Sequence, residues 1–145
     1  MAEKSFAIRL VTPAGKLLDG QATYASVPAH DGLMGFEPNR APIVFELGLG
    51  ELRVDFANDG KNTGGGSRSY LIEDGFGQMA NNKLTVLTTK AWPAEEIDVS
   101  AAQAELSAAE AKKPDSAKEM NAVTRDRDRA RAKVRLARAA AGKGI

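Results

Sequence analysis

The chain carries one histidine and no cysteine. That composition excludes a disulfide framework, a thiolate metal site and a cage of several imidazoles, so no metal site is expected. A Ser-His-Asp relay would have to run through His30, which stands in the turn-like segment His30-Asp31-Gly32. No nucleophile-elbow sequence occurs anywhere to complete it. The adjacent carboxylates Glu73-Asp74 and Glu95-Glu96 would point to opposite faces of a strand, so neither pair converges on one substrate. Gly64-Gly65-Gly66-Ser67 reads as a flexible hairpin tip, because a phosphate cradle needs a strand before it and a helix opening after it. Gly48-Leu49-Gly50 is followed by Arg53 where a dinucleotide fingerprint requires its third glycine. No catalytic residue and no cofactor are therefore expected.

The remaining chemistry is charge. Residues 115–145 hold nine Lys/Arg against four Asp/Glu in a chain whose net charge is only +1. Arg125, Arg127, Arg129, Arg131, Lys133, Arg135 and Arg138 crowd one stretch. Asp126 precedes Arg129 by three residues and Asp128 precedes Arg131 by three, an order that suits weak ion pairs on a helix. The excess of cations calls for an anionic partner, either an acidic protein surface or phosphate. The stretch has no aromatic for base stacking and matches no nucleic-acid module, so nucleic acid is not the expected partner.

These residues must be positioned by two kinds of element. In the first ninety residues Phe6, Ile8 and Leu10 alternate with Ala7, Arg9 and Val11, Leu52, Val54 and Phe56 alternate with Arg53, Asp55 and Ala57, and the runs Ile43, Phe45, Leu47, Leu49 and Leu84, Val86, Thr88 keep the same period. Period two is the signature of half-buried strands. Turn compositions separate them: Thr12-Pro13-Ala14-Gly15, His30-Asp31-Gly32, Asn58-Asp59-Gly60, Glu73-Asp74-Gly75 and Ala80-Asn81-Asn82. Such spacing predicts an antiparallel sandwich or barrel. Pro93 is the expected end of the strand region. From Asp98 onward alanine dominates, and Val99, Ala102, Leu106 and Ala109 recur at helical spacing. Asp98 or Ser100 can cap that helix, and Pro114 ends it. Asp115 or Ser116 can cap a second one, whose stripe is Val123, Arg127, Ala130, Val134, Ala137 and Ala141, closed by Gly142 and Gly144. The fold class is thus α+β: an N-terminal antiparallel β-sandwich (1–90) followed by a C-terminal antiparallel helical hairpin (95–145). The thin, Ala-lined stripes predict a hairpin of marginal stability. No apolar run reaches the roughly 18 residues of a membrane span, and the N-terminus does not read as a secretory signal.

The segment Val27-Pro28-Ala29-His30-Asp31-Gly32-Leu33-Met34-Gly35-Phe36-Glu37-Pro38-Asn39-Arg40-Ala41-Pro42-Ile43 resembles the epsilon subunit of F-type proton-translocating ATP synthases. Further matches are Ile8-Arg9-Leu10-Val11-Thr12-Pro13, Gly48-Leu49-Gly50-Glu51-Leu52-Arg53, Tyr70-Leu71-Ile72-Glu73-Asp74-Gly75-Phe76 and Asn82-Lys83-Leu84-Thr85-Val86-Leu87. Gly32 and Gly35 suit a tight turn and a bulge. The resemblance implies a ten-stranded sandwich plus helical hairpin, and a non-catalytic rotor subunit that couples proton flow to ATP synthesis. Its implied partners are the gamma subunit, the c-ring and, through the hairpin, the alpha and beta subunits of the catalytic head. The implied location is peripheral, on the cytoplasmic face of a bacterial plasma membrane. Candidate gamma or c-ring contacts are Ala29, His30, Asp31, Leu33 and Arg40. Arg40 stands for the family's usual His, and Leu33 for a frequent acid. The seven cations from Arg125 to Arg138 would form the inhibitory helix that restrains ATP hydrolysis. Some bacterial members bind ATP through [IL]-D-x-x-R-A; Ile97 and Asp98 match that pattern, but Ala101 replaces its arginine.

Overall fold

A computed structural model describes residues 4–57 and 66–143. The turn expected at Asn58-Asp59-Gly60, the glycines Gly64 and Gly65, and Gly144 lie outside the described residues. The chain forms two compact units, Met1–Ala91 and Trp92–Ile145.

The first unit is built from seven strands: β1 (Phe6–Thr12), β2 (Gly15–Ala29), β3 (Gly32–Phe36), β4 (Ile43–Glu46), β5 (Gly50–Phe56), β6 (Ser67–Ala80) and β7 (Lys83–Pro93). They pair in the order β1-β7-β6-β5-β2-β3, β4 adds to β6, and a β1–β2 pairing closes the path on itself. Inward-phase residues of every layer meet in one core: Phe6, Ile8, Leu10, Val27, Phe36, Leu52, Val54, Tyr70, Ile72, Met79, Leu84 and Val86 all have no exposed surface. This is the sandwich that period-two patterning predicts.

Several particulars differ from the sequence expectations. The sheet is not wholly antiparallel, because β1 runs parallel to β7, with Ile8 opposite Leu84. Strands so far apart in the chain have no short connection to force them antiparallel. Seven strands appear among the described residues, not ten, because the longest serve two layers without a break. β2 pairs with β1 up to Ala22, shifts register between Ala22 and Tyr24, and continues against β5 and β3. β6 pairs first with β5 and then with β4.

The bend in β6 falls at Glu73-Asp74-Gly75, which is therefore not a turn between strands. Asp74 (φ 59°) and Gly75 (φ 120°) hold it inside one continuous strand. A Cβ on Gly75 would run into the Leu87 carbonyl oxygen and lie 2.8 Å from Thr88 Cα. Thr88, a buried polar residue, places its hydroxyl within 3.0 Å of the Glu73 and Asp74 carbonyl oxygens at the bend and of the Lys90 carbonyl oxygen on β7. The alternating run after Ile43 also stops early. β4 ends at Glu46, and Leu47 makes an isolated bridge to Ala29 and donates its N–H to the Gly75 carbonyl at 2.9 Å. Asn81 and Asn82, both at positive φ, form the two-residue turn between β6 and β7.

The second unit opens with a single 3-10 turn, Ala94–Glu96, followed by α1 (Val99–Ala111) and α2 (Ala117–Lys143). Asp98 caps α1 by accepting from Ala101 N–H at 3.2 Å. Ser116 accepts from Glu119 N–H at 3.1 Å, which satisfies a first-turn donor, and the Glu119 carboxylate reaches back past the cap to Asp115 N–H at 2.8 Å. α2 continues through Gly142 to Lys143, so that glycine does not end it. Ala102 and Ala109 of α1, and Val123, Ala130, Val134 and Ala137 of α2, are buried. Ala132 and Leu136, four residues apart and outside that stripe, are buried as well.

Candidate docking surface and basic helix

The residues singled out between Ala29 and Arg40 are brought together by the β2–β3 hairpin. Ser26 faces Gly35, Pro28 faces Leu33 and Ala29 faces Gly32. Gly32 has φ 139°, which a side chain tolerates poorly, so the turn at His30-Asp31 depends on it. Gly35 serves a different purpose from the expected bulge. The pairing there is regular, and a Cβ at Gly35 would sit 2.6 Å from the Tyr24 hydroxyl. Glycine is needed so that the tyrosine ring can cross it.

The hairpin sorts the candidates. Leu33 is 72% exposed, a large apolar side chain offered to solvent at the tip. His30 and Asp31 are exposed, and His30 N–H donates to the Glu46 carbonyl at 2.8 Å. Ala29, in the pair next to the turn, is buried and bridged to Leu47, so it seats the turn against the sandwich and offers no contact surface. Arg40 is exposed but anchored. It donates to the Gly35 carbonyl and lies 4.9 Å above the Phe36 ring.

Two open concavities flank the tip. One, of 330 Å³, is lined by Tyr24, Gly35, Glu37, Pro38 and Arg40. The other, of 340 Å³, is lined by Tyr24, Ser26, Leu33, Glu51, Arg53 and Asp55. Both are open, the first mostly polar and the second of mixed character, unlike the apolar, enclosing pockets that small ligands use. A broad partner surface suits them better. Elsewhere on the sandwich Val44, Phe76 and Leu87 are 68%, 60% and 51% exposed, on outward positions of β4, β6 and β7. The sequence reading missed them, although each is a large apolar residue in the outward phase of its strand. Exposed apolar groups on neighbouring strands mark interaction sites.

The nucleotide candidates sit at the start of the second unit. Ile97 follows the 3-10 turn and is half-buried, and the Asp98 carboxylate is engaged in capping α1. Ala101 supplies only its backbone N–H.

The seven cations of α2 divide by what they touch. Arg127 donates to the carbonyls of Ala109 (3.1 Å), Glu110 (3.4 Å) and Lys112 (3.0 Å) at the end of α1. Lys133 is paired with Glu105 at 3.1 Å and lies 4.5 Å above the Trp92 ring. Arg138 donates to Gln103 at 3.2 Å. These three tie α2 to its own unit. Arg129 pairs with Asp126 at 3.0 Å and Arg131 with Asp128 at 3.5 Å, the two pairs the spacing predicts. Arg125 is half-buried and Arg135 is exposed. Hydrogen bonds from Lys112 and then Arg129 hold the Asp126 carboxyl below its ordinary value. Asp19, on β2, is lowered in the same way, chiefly by its hydrogen bond with Lys16.

Residues 5–94 match the family model described as the beta-sandwich domain of the ATP synthase Delta/Epsilon chain. The chain is 34% identical over 110 residues to the ATP synthase epsilon chain of Lawsonia intracellularis, covering 76% of this chain and 77% of that one. It is 33% identical over 101 residues to the sodium ion specific ATP synthase epsilon chain of Propionigenium modestum, covering 70% and 69%. Among solved structures, a chain of the Euglena gracilis mitochondrial ATP synthase superposes with a TM-score of 0.68 at 22% identity, over 90% of this chain and 76% of that one. A chain of the Tetrahymena thermophila mitochondrial ATP synthase central stalk and c-ring superposes with a TM-score of 0.66 at 18% identity, over 90% and 95%. At those identities the structural likeness speaks for the fold.

Proposed function

The chain belongs to the ATP synthase delta/epsilon family, as an epsilon subunit of that membrane-associated complex, and from that premise we propose how its two units divide the work. The sandwich is the non-catalytic docking unit of the central stalk, seated on the gamma subunit and the c-ring. The hairpin is the regulatory unit, which restrains ATP hydrolysis by engaging the alpha and beta subunits of the catalytic head. The complex sits with this subunit on the cytoplasmic face of a bacterial plasma membrane.

The observation that carries the docking reading is the β2–β3 tip. It offers Leu33, His30 and Asp31 outward on a short hairpin whose turn is held from below by the Ala29–Leu47 bridge and by the His30 N–H on the Glu46 carbonyl. A rigid tip contributes affinity because little conformational freedom is lost on binding. Leu33 is the apolar element and Asp31 and Arg40 the polar rim, the usual composition of an interface. The exposed Val44, Phe76 and Leu87 supply a second apolar area on the same unit, suited to a stable partner such as gamma.

The test is affinity purification of the complex from membranes with a tagged full chain and with a chain truncated after Lys90. Both are expected to retain gamma and the c-ring, and the truncated chain should still support coupled ATP synthesis. Loss of gamma and the ring from the truncated chain would overturn this division of labour.

A further inference from the structure

Pro114 stops α1, but the groups that normally satisfy a helix's last carbonyls are missing from its end. Its C-cap, Lys112, is extended (φ −70°, ψ 138°), and no basic residue lies in its last turn. No glycine follows, since the chain continues Lys112-Lys113-Pro114. A helix leaves its last four carbonyls without intrahelical partners. A left-handed glycine or a local cation usually answers them; here no glycine stands there, and the Lys112 ammonium pairs with Asp126 at 3.2 Å. From its own end, Lys112 N–H turns back to the Ala109 carbonyl at 3.3 Å.

Arg127 of α2 takes that role. Its Nε and Nη2 donate to three carbonyls, those of Ala109, Glu110 and Lys112. It is the one charged member of the stripe Val123, Arg127, Ala130, Val134 and Ala137, whose other members are buried. Its positive charge also meets the negative end of the α1 dipole. The planar, multi-donor guanidinium suits a cluster of carbonyls as an ammonium does not. Beside it, Lys112 pairs with Asp126 at 3.2 Å. Farther along, Lys133 meets Glu105 and Arg138 meets Gln103, so the contacts run in antiparallel register with Arg127 at the loop end.

We propose that Arg127 is a clasp: a C-cap for α1 supplied by α2, which makes the last turn of α1 conditional on the two helices being docked. α1 has 13 residues, close to the length below which isolated helices are marginal in water. Separating the helices strips its cap and unravels its end, so opening and fraying occur as one event. The same step releases a guanidinium. In the closed hairpin Arg127 is committed to α1; in the open one it is available to an acidic surface. The clasp belongs to the isolated chain and stands whether or not the hairpin touches the catalytic head.

The experiment is residue-resolved amide hydrogen exchange on the full chain, comparing Arg127→Met, Arg127→Lys and Arg135→Met. Methionine keeps the length and helix propensity of arginine and suits an apolar stripe. If Arg127 were merely a charge intruding on that stripe, Arg127→Met would leave exchange unchanged or slow it. The clasp predicts the opposite sign: amides of residues 108–112 exchange about tenfold faster, while sandwich amides are unaffected. Arg127→Lys should fall between Arg127→Met and the parent, and Arg135→Met should match the parent. If Arg127→Met melts the whole hairpin while Arg135→Met does not, the clasp is supported by loss of helical circular dichroism. Parent-like exchange in Arg127→Met, full rescue by lysine, or equal loss in Arg135→Met would overturn it.

Discussion

Replacing Arg125, Arg129, Arg131 and Arg135 together by alanine is expected to release ATP hydrolysis in the assembled enzyme. The set is chosen from the structure. Arg127, Lys133 and Arg138 hold α2 within its own unit, so changing them would confuse lost docking with lost fold. Among the four, Arg129 and Arg131 make i,i+3 pairs with Asp126 and Asp128, worth about 0.3–0.5 kcal/mol each. Alanine's better helix propensity, roughly 0.2 kcal/mol per site, offsets most of that loss. Circular dichroism of the fourfold variant is the control that the hairpin keeps its structure. Against an acidic partner, four partly exposed contacts at ~0–1 kcal/mol each sum to about 2 kcal/mol. That corresponds to roughly thirtyfold in the population of a restrained state. The assay is ATP hydrolysis by the complex, compared with a deletion of residues 95–145 and repeated across ionic strength. The parent's restraint should weaken as salt shortens the Debye length from ~10 Å at 0.1 M to ~3 Å at 1 M. If deletion raises hydrolysis and the fourfold change does not, charge is not what holds the restrained state. If neither raises it, the hairpin is no restraint at all.

Gly75→Ala should destabilise the sandwich by about 3 kcal/mol or more, because its Cβ meets the backbone of β7 at a positive φ; an unchanged thermal midpoint would refute the β6 bend. Leu33→Asp should leave stability within about 0.5 kcal/mol, since the side chain is 72% exposed. The same change should weaken retention in the complex about tenfold by burying a charge at the tip, read by salt-wash dissociation. The Asp126 carboxyl is held below its ordinary value of 3.8 by Lys112 and Arg129. Its contribution is therefore complete above that value and disappears as pH falls through the lower folded one. Asp126→Asn should remove this acid-dependent part of the hairpin's helicity, and a profile identical to the parent's would refute it.

Much of this protein was legible in the residues themselves. The inward phase of β1, β5 and β7, the Asn81-Asn82 turn, the Asp98 cap and the two i,i+3 pairs on α2 are local facts, set by periodicity and short-range hydrogen bonding. The concentration of cations beyond Ala117 needs no fold to be seen. Tertiary structure decided what depends on neighbours. Periodicity says which face of a strand is inward but not which strand lies beside it, so the parallel β1–β7 pairing had no local signature. Glu73-Asp74-Gly75 has the composition of a turn, yet Thr88 and the close backbone of β7 hold it as a bend within β6. Ala29 and Leu33 are both apolar and four residues apart. Only the register of the hairpin buries one and exposes the other. On α2 the cations surround the helix, so their sequence cannot assign them to a face. The seam with α1 sets the rotation of α2 about its axis, and that rotation alone makes Arg127 a cap and leaves Arg135 in solvent.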